Sequence, residues 1–130
     1  IETSQQLAVV TGANRGLGLE TCRQLAQRGL RVMLTSRDEA EGQAAVNRLR
    51  GQGLAVRYRS LDVTDPASVA ALADTLRRED GRIDALVNNA GVALEGFDAE
   101  VVRRTLAVNY FGAIDTTDQL LPLLAPHGRI

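Results

Sequence analysis

The chain has 130 residues, 45% of them hydrophobic and 24% charged, with a formal net charge of -1. That length admits one compact core, and that composition is globular rather than disordered or fibrous. Near-neutral charge builds no field that would gather nucleic acid or an anionic membrane, and no apolar run approaches the roughly 18 residues of a membrane span. The start, Ile1 to Gln6, is polar. The expectation is a cytoplasmic protein of one domain, residues 1–130, with neither nucleic acid nor membrane as partner.

Short apolar runs alternate with helix-spaced stripes, as expected of βα units around a parallel sheet. A first strand is read at Leu7 to Thr11, followed by a glycine-rich turn and a helix from about Leu17 to Arg28. Cys22, Leu25 and Ala26 form its inward stripe, and Gly29 ends it. The second strand is Arg31 to Ser36. The second helix covers about Glu39 to Arg50, with Asp38 as its cap and Glu41 placed for a capping box. After a third strand at Ala55 to Leu61, Asp65 caps a helix that begins at Pro66, turns Val69, Leu72, Ala73 and Leu76 inward, and stops at Gly81. A fourth strand is read at Ala85 to Asn88. A long fourth helix follows, from about Asp98 to Leu121, closed by Pro122 and Pro126.

Right-handed crossovers place these strands in the order 3-2-1-4, an α/β, Rossmann-type doubly wound parallel sheet with its ligand crevice between strands 1 and 4. Arg129 and Ile130 read as the start of a fifth strand, so the fold is expected to be truncated there. Strand 4 would be left as an open edge and the fourth helix partly uncovered, which makes association of copies an open possibility.

The turn Thr11 to Gly18 carries Gly12, Gly16 and Gly18 around Asn14, Arg15 and Leu17. Glycines there admit turns that a β-carbon blocks, and they let a pyrophosphate approach the backbone at a helix start. The spacing differs from the commoner Gly-x-Gly-x-x-Gly, and purely steric use of glycine is the alternative. At the end of strand 2, about 20 residues on, a reader of the NAD ribose places an acid. Ser36 and Arg37 stand there instead. A guanidinium pairs bidentately with a 2′-phosphate, and Arg15 can reach the same group, which favours NADP(H). Two solvated surface charges are the bland alternative. Asp38 could read a ribose hydroxyl, but its position makes it the helix cap.

Strand 3 ends in Leu61-Asp62-Val63 and strand 4 in Asn88-Asn89-Ala90-Gly91, on the same carboxyl edge of the sheet as the glycine turn. These segments, with Val108-Asn109-Tyr110-Phe111-Gly112, resemble the cofactor half of a short-chain dehydrogenase/reductase over nearly the whole chain. Leu34 to Asp38, Gly42 to Val46 and Leu120 to Leu124 resemble its carbonyl reductase branch, which reduces ketones, aldehydes and quinones with NADPH. The resemblance implies that residues 12–18 wrap the pyrophosphate and that Arg37 and Arg15 hold the 2′-phosphate. It implies that Asp62 meets the adenine amino group, that Val63 lines its pocket, and that Asn89, Ala90 and Gly91 run beside ribose and nicotinamide. Asn109 would be the asparagine of a catalytic tetrad, holding a water in the proton relay. A small carbonyl compound is then the substrate.

The family's serine and Tyr-x-x-x-Lys do not occur in these residues. All fifteen basic side chains are arginine, and the residues four places after Tyr58 and Tyr110 are Asp62 and Ile114. His127, between Pro126 and Gly128, reads as a turn residue without an acid–base role. Cys22 reads as a small buried hydrophobe rather than a reactive thiol. No metal-binding pattern is expected. The alternative function is a noncatalytic module that senses NADP(H); a methyl-donor site leaves Asn88 to Gly91 and Arg37 together unexplained.

Overall fold

Five parallel strands form one sheet in the order β3-β2-β1-β4-β5: β1 (Leu7–Val10), β2 (Arg31–Ser36), β3 (Val56–Ser60), β4 (Ile83–Val87) and β5 (Leu124–Arg129). The structure, a computed structural model, describes residues 6–130. The polar start read at residues 1–5 lies outside them. Helices α1 (Gly16–Gln27), α2 (Glu39–Arg50) and α3 (Pro66–Glu79) connect the strands.

The period of two along each strand divides the core between the faces of the sheet. On one face Val10, Val32, Leu34 and Val56 pack with Cys22 and Ala26 of α1 and Val46 and Leu49 of α2. On the other, Leu7, Val9, Met33 and Ile83 pack with Val69, Leu72 and Leu76 of α3 and with Leu120. Each of these strand residues is almost wholly buried. Two covered faces explain why the strands read as continuous apolar runs rather than as alternating ones.

Three aspartates start three helices. Asp38 accepts from the Glu41 N–H at 2.9 Å, Asp65 from Ala67 at 3.0 Å and Asp98 from Val101 at 2.9 Å. Pro66 takes the first position of α3, where a missing N–H costs nothing. Strand β4 begins two residues before the expected Ala85 because Asp84 is satisfied inside it: its Oδ2 accepts from the Leu7 N–H at 2.8 Å.

Two expectations are corrected. The fifth strand starts at Leu124, five residues earlier than expected, and its pairs Ile83↔Leu124 and Ala85↔Arg129 cover the side of β4 that was expected to be open. The register shifts between those pairs, so the segment that contains Pro126 and His127 bulges at the sheet edge, a place that tolerates a residue without an N–H. His127 is thus an exposed strand residue, not part of a turn. The long fourth helix is also not uniform. It runs as α4 (Ala99–Leu106), a π-helical segment at Ala107–Gly112, α5 (Ala113–Leu120) and a 3-10 turn at Leu121–Leu123. A β-carbon on Gly112 would stand 2.7 Å from Val63 Cγ2, so glycine lets the wide π turn settle against the end of β3.

Candidate functional site

The carboxyl edge of the sheet opens into a cleft of about 660 Å³ where the strand order reverses between β1 and β4. That is the place and size of a nucleotide site in an open α/β sheet. Gly12, Asn14, Arg15, Gly16, Leu17 and Gly18 form one wall. Arg37 closes the end above β2, Asp62 and Val63 come from the end of β3, and Asn89, Ala90 and Gly91 from the end of β4. Two expected site residues are not on the wall. Ser36 is 2% exposed, and its hydroxyl donates to the Asp38 carbonyl at 2.9 Å. Asn109 does not line the cleft, where its neighbour Val108 does, but its side chain is bonded to Val92 of the lining.

The start of α1 differs from the others. Its cap is Arg15 in extended backbone, with no side-chain hydrogen bond to the helix and no acidic residue in its first turn. The helices with aspartate caps have their first donors answered; α1 presents unanswered N–H groups and the positive end of its dipole to the cleft. Gly16, at φ +61°, has no heavy atom within 4 Å of where its β-carbon would be, so the cleft comes directly onto the backbone there. Gly18 is the opposite case: a β-carbon would stand 2.4 Å from Asn89 Nδ2 and 2.8 Å from Ala13 Cα.

Thr11 and Asn89 lock the two sides of the cleft. Thr11 Oγ1 accepts from the N–H groups of Asn89 and Ala90 at 3.0 and 2.9 Å. Asn89 Nδ2 donates to the carbonyls of Thr11 and Gly12 at 3.1 and 3.0 Å. Asn88 Nδ2 donates to Thr117 Oγ1 at 3.0 Å and ties the same turn to α5. Asn109 completes the frame: its Nδ2 donates to the Val92 carbonyl at 2.9 Å and its Oδ1 accepts from the Val92 N–H at 2.8 Å.

Charge in the cleft is mixed. Among the described residues, neither Arg15 nor Arg37 has a hydrogen-bond or ion-pair partner, and both side chains are exposed. Asp62 Oδ1 is taken by the Thr64 N–H and hydroxyl at 2.9 and 2.7 Å, and Asp38 Oδ1 by its capping bond. Glu41 crosses from α2 to the glycine turn, its Oε2 accepting from Asn14 Nδ2 at 3.1 Å. Burial pushes the Cys22 thiol, on the inner face of α1, up to about 12. Among the described residues no cluster of His, Cys, Asp or Glu is arranged to hold a metal, and no helix is long and apolar enough to cross a membrane.

Sequence reasoning did not place Thr11, Glu41, Val92 or Val108 at the site. Thr11 lies next to the first glycine, and Glu41 was read only as a capping acid. Val92 and Val108 carry no polar signal, so only the fold brings them to the wall.

A glycine turn running into an uncapped helix, at the point where strand order reverses, makes this a doubly wound α/β protein of the nucleotide-binding kind. The chain belongs to the short chain dehydrogenase family, whose profile matches residues 6–130. It is 43% identical over 138 aligned residues to a carbonyl reductase (NADPH) 3 of Mus musculus and 44% identical over 138 to a carbonyl reductase (NADPH) 1 of Bos taurus. Both alignments cover 100% of this chain and 49% of the relative. The chain thus spans about half the length of the relatives that it matches. Among solved structures, a metagenomic short-chain oxidoreductase in complex with NADP superimposes with a TM-score of 0.86 at 32% identity, over 93% of this chain and 57% of that one.

Proposed function

We propose that the cleft binds NADP(H), and that residues 1–130 form the cofactor-binding part of a reductase for small carbonyl compounds: ketones, aldehydes or quinones. The observation that carries this reading is a pair of guanidiniums without partners among the described residues: Arg37, at the end of β2 where a reader of the NAD ribose has an acid, and Arg15, across the cleft in the glycine turn. The names of the carbonyl reductase relatives and the NADP complex of the structural neighbour support the same choice.

The residues present fit the group. The uncapped start of α1 and the open space above Gly16 receive a pyrophosphate. Arg37 and Arg15 pair with a 2′-phosphate, Asp62 meets the adenine amino group, and Val63 lines its pocket. Asn89, Ala90 and Gly91 flank the ribose and the nicotinamide. A bound nicotinamide supplies the hydride. This chain's part is to orient that ring, through the Thr11, Asn89 and Asn109 frame, and to keep the backbone close on the phosphates. Asn109 spends one acceptor site and one donor of its amide on Val92 and keeps one of each with which to hold a water of the proton relay.

The test is Arg37→Ala in the intact protein. Charge-assisted hydrogen bonds contribute about 1.5–3 kcal/mol, so NADPH should bind roughly 10- to 100-fold more weakly while NADH changes little. Equal losses for both cofactors would overturn the assignment.

A further inference from the structure

We infer that Glu41 is a specificity-determining residue that limits how strongly the cleft prefers a 2′-phosphate; the inference rests on the proposed NADP(H) reading of that cleft. Glu41 is the third residue of α2, where the acid of a capping box reaches back to the cap's own N–H. Here only half of that box forms. Asp38 Oδ1 accepts from the Glu41 N–H at 2.9 Å, but the Glu41 carboxylate turns the other way and takes Asn14 Nδ2 at 3.1 Å. The acid is thereby held in the same cleft wall as Arg15 and Arg37, with which it forms no ion pair.

The consequence follows from charge. A 2′-phosphate that pairs with Arg37 carries close to two negative charges near neutral pH and enters a wall that already contains a fixed carboxylate. Repulsion from Glu41 offsets part of the attraction of the two guanidiniums. A ligand that carries a 2′-hydroxyl instead meets no such penalty. Glu41 therefore lowers the ratio of the two affinities, while its bond to Asn14 steadies the glycine turn for both ligands.

Glu41→Gln separates these roles, because an amide oxygen still accepts from Asn14 and only the charge is lost. Glu41 is exposed, so the fold should be kept, which a thermal melt verifies. The probes are adenosine 2′,5′-bisphosphate and AMP, titrated by calorimetry into the intact wild-type, Glu41→Gln and Arg37→Ala proteins. At about 0.01 M salt the preference for the bisphosphate should rise about three- to fivefold in Glu41→Gln, and at about 0.5 M salt the gain should shrink towards nothing. A ratio that stays or falls in Glu41→Gln, while Arg37→Ala collapses it, overturns the role of Glu41 and leaves the cofactor reading standing. A gain that ignores salt also overturns it, since it would come from the tether to Asn14. If Arg37→Ala leaves the ratio unchanged, the cofactor reading fails and this inference with it.

Discussion

Thr11 and Asn89 bind one another twice: the Asn89 N–H donates to Thr11 Oγ1 at 3.0 Å, and Asn89 Nδ2 donates to the Thr11 carbonyl at 3.1 Å. The first residue after β1 is thereby fixed to the second residue after β4, across the point where the chain order reverses. Thr11 is 1% exposed, so the donors that it answers have no water to turn to. Thr11→Val keeps the shape and removes the acceptor, leaving the Ala90 N–H unanswered while the Asn89 N–H keeps its second bond, to the Val87 carbonyl at 3.0 Å. The expected loss is about 1–3 kcal/mol of stability, measured by urea titration, the cost of one orphaned donor.

Two glycines of the same turn separate fold from binding. Gly18→Ala forces a methyl against Asn89 Nδ2 and Ala13 Cα, and should cost about 1–3 kcal/mol by overpacking. At Gly16 a β-carbon meets no heavy atom within 4 Å, so the cost of Gly16→Val to the fold is mainly its φ of +61°, about 2 kcal/mol for a branched side chain. Its branched side chain fills the space proposed for the pyrophosphate. The fold should survive and nucleotide binding should vanish; tight binding by calorimetry would remove the turn from the phosphate site.

Much of this architecture was legible before any coordinates. Strand β2 and helix α2 have the bounds read from the apolar pattern, Asp38 and Asp65 cap where their positions predicted, and Asp98, read as the start of the fourth helix, is its cap. Those features are local, set by side-chain spacing and cap chemistry. The start of β5 was not legible, because Leu124 to Gly128 contains a proline and a glycine that read as punctuation, and only pairing with β4 extends the strand. The π turn around Asn109 was invisible for the same reason. It is imposed by packing against Val63 and by the Val92 bonds, both distant in sequence. Ser36 was placed in the site by position, but the β-strand period turns it inward, towards Tyr58, whose hydroxyl lies 3.3 Å from its own.

Asn109 offers a test that does not depend on turnover. In Asn109→Leu the Val92 N–H loses its acceptor, and its hydrogen exchange should accelerate sharply. Asn109→Asp keeps an acceptor for that N–H but sets a carboxylate oxygen against the Val92 carbonyl where the donor was. Exchange at Val92 should then be faster than in wild type but slower than in Asn109→Leu. Equally fast exchange in both variants would show that the bond to Oδ1 is not what protects this amide.

Cys22 should be chemically silent. Burial on the inner face of α1 raises its thiol to about 12, so at pH 8 hardly any of the protein carries the thiolate that attacks a labelling reagent. The sign is fixed: ionisation, and with it reactivity, should appear only as pH rises towards that value or as the helix opens. Native protein should resist alkylation at pH 8 and react at once in denaturant. Rapid labelling of the native state would contradict the buried geometry.

Residues 1–130 expressed alone should reduce no carbonyl compound. Carbonyl reduction needs a proton donor beside the hydride, held at a useful pKa by a neighbouring positive charge. No lysine occurs in the sequence, and Asp62 and Ile114 stand four places after its two tyrosines. Tyr58 is also buried in the sheet, where its hydroxyl donates to the Ser36 carbonyl at 3.0 Å. Tyr110 is exposed on the π turn and stacks edge-on with Phe111, their centroids 5.0 Å apart. Asn109 is a neutral amide with no proton to give near pH 7. The side chains of Val102, Leu106, Phe111, Ile114 and Leu121 are each more than 40% exposed along this part of the chain, so the isolated piece should also self-associate. The measurement is NADPH oxidation with a quinone or an activated ketone, comparing the 130 residues with the intact protein, and sedimentation of both. Turnover by the purified piece at the rate of the intact protein would show that the proton comes from a group within these residues, and would return Tyr110 and His127 to consideration.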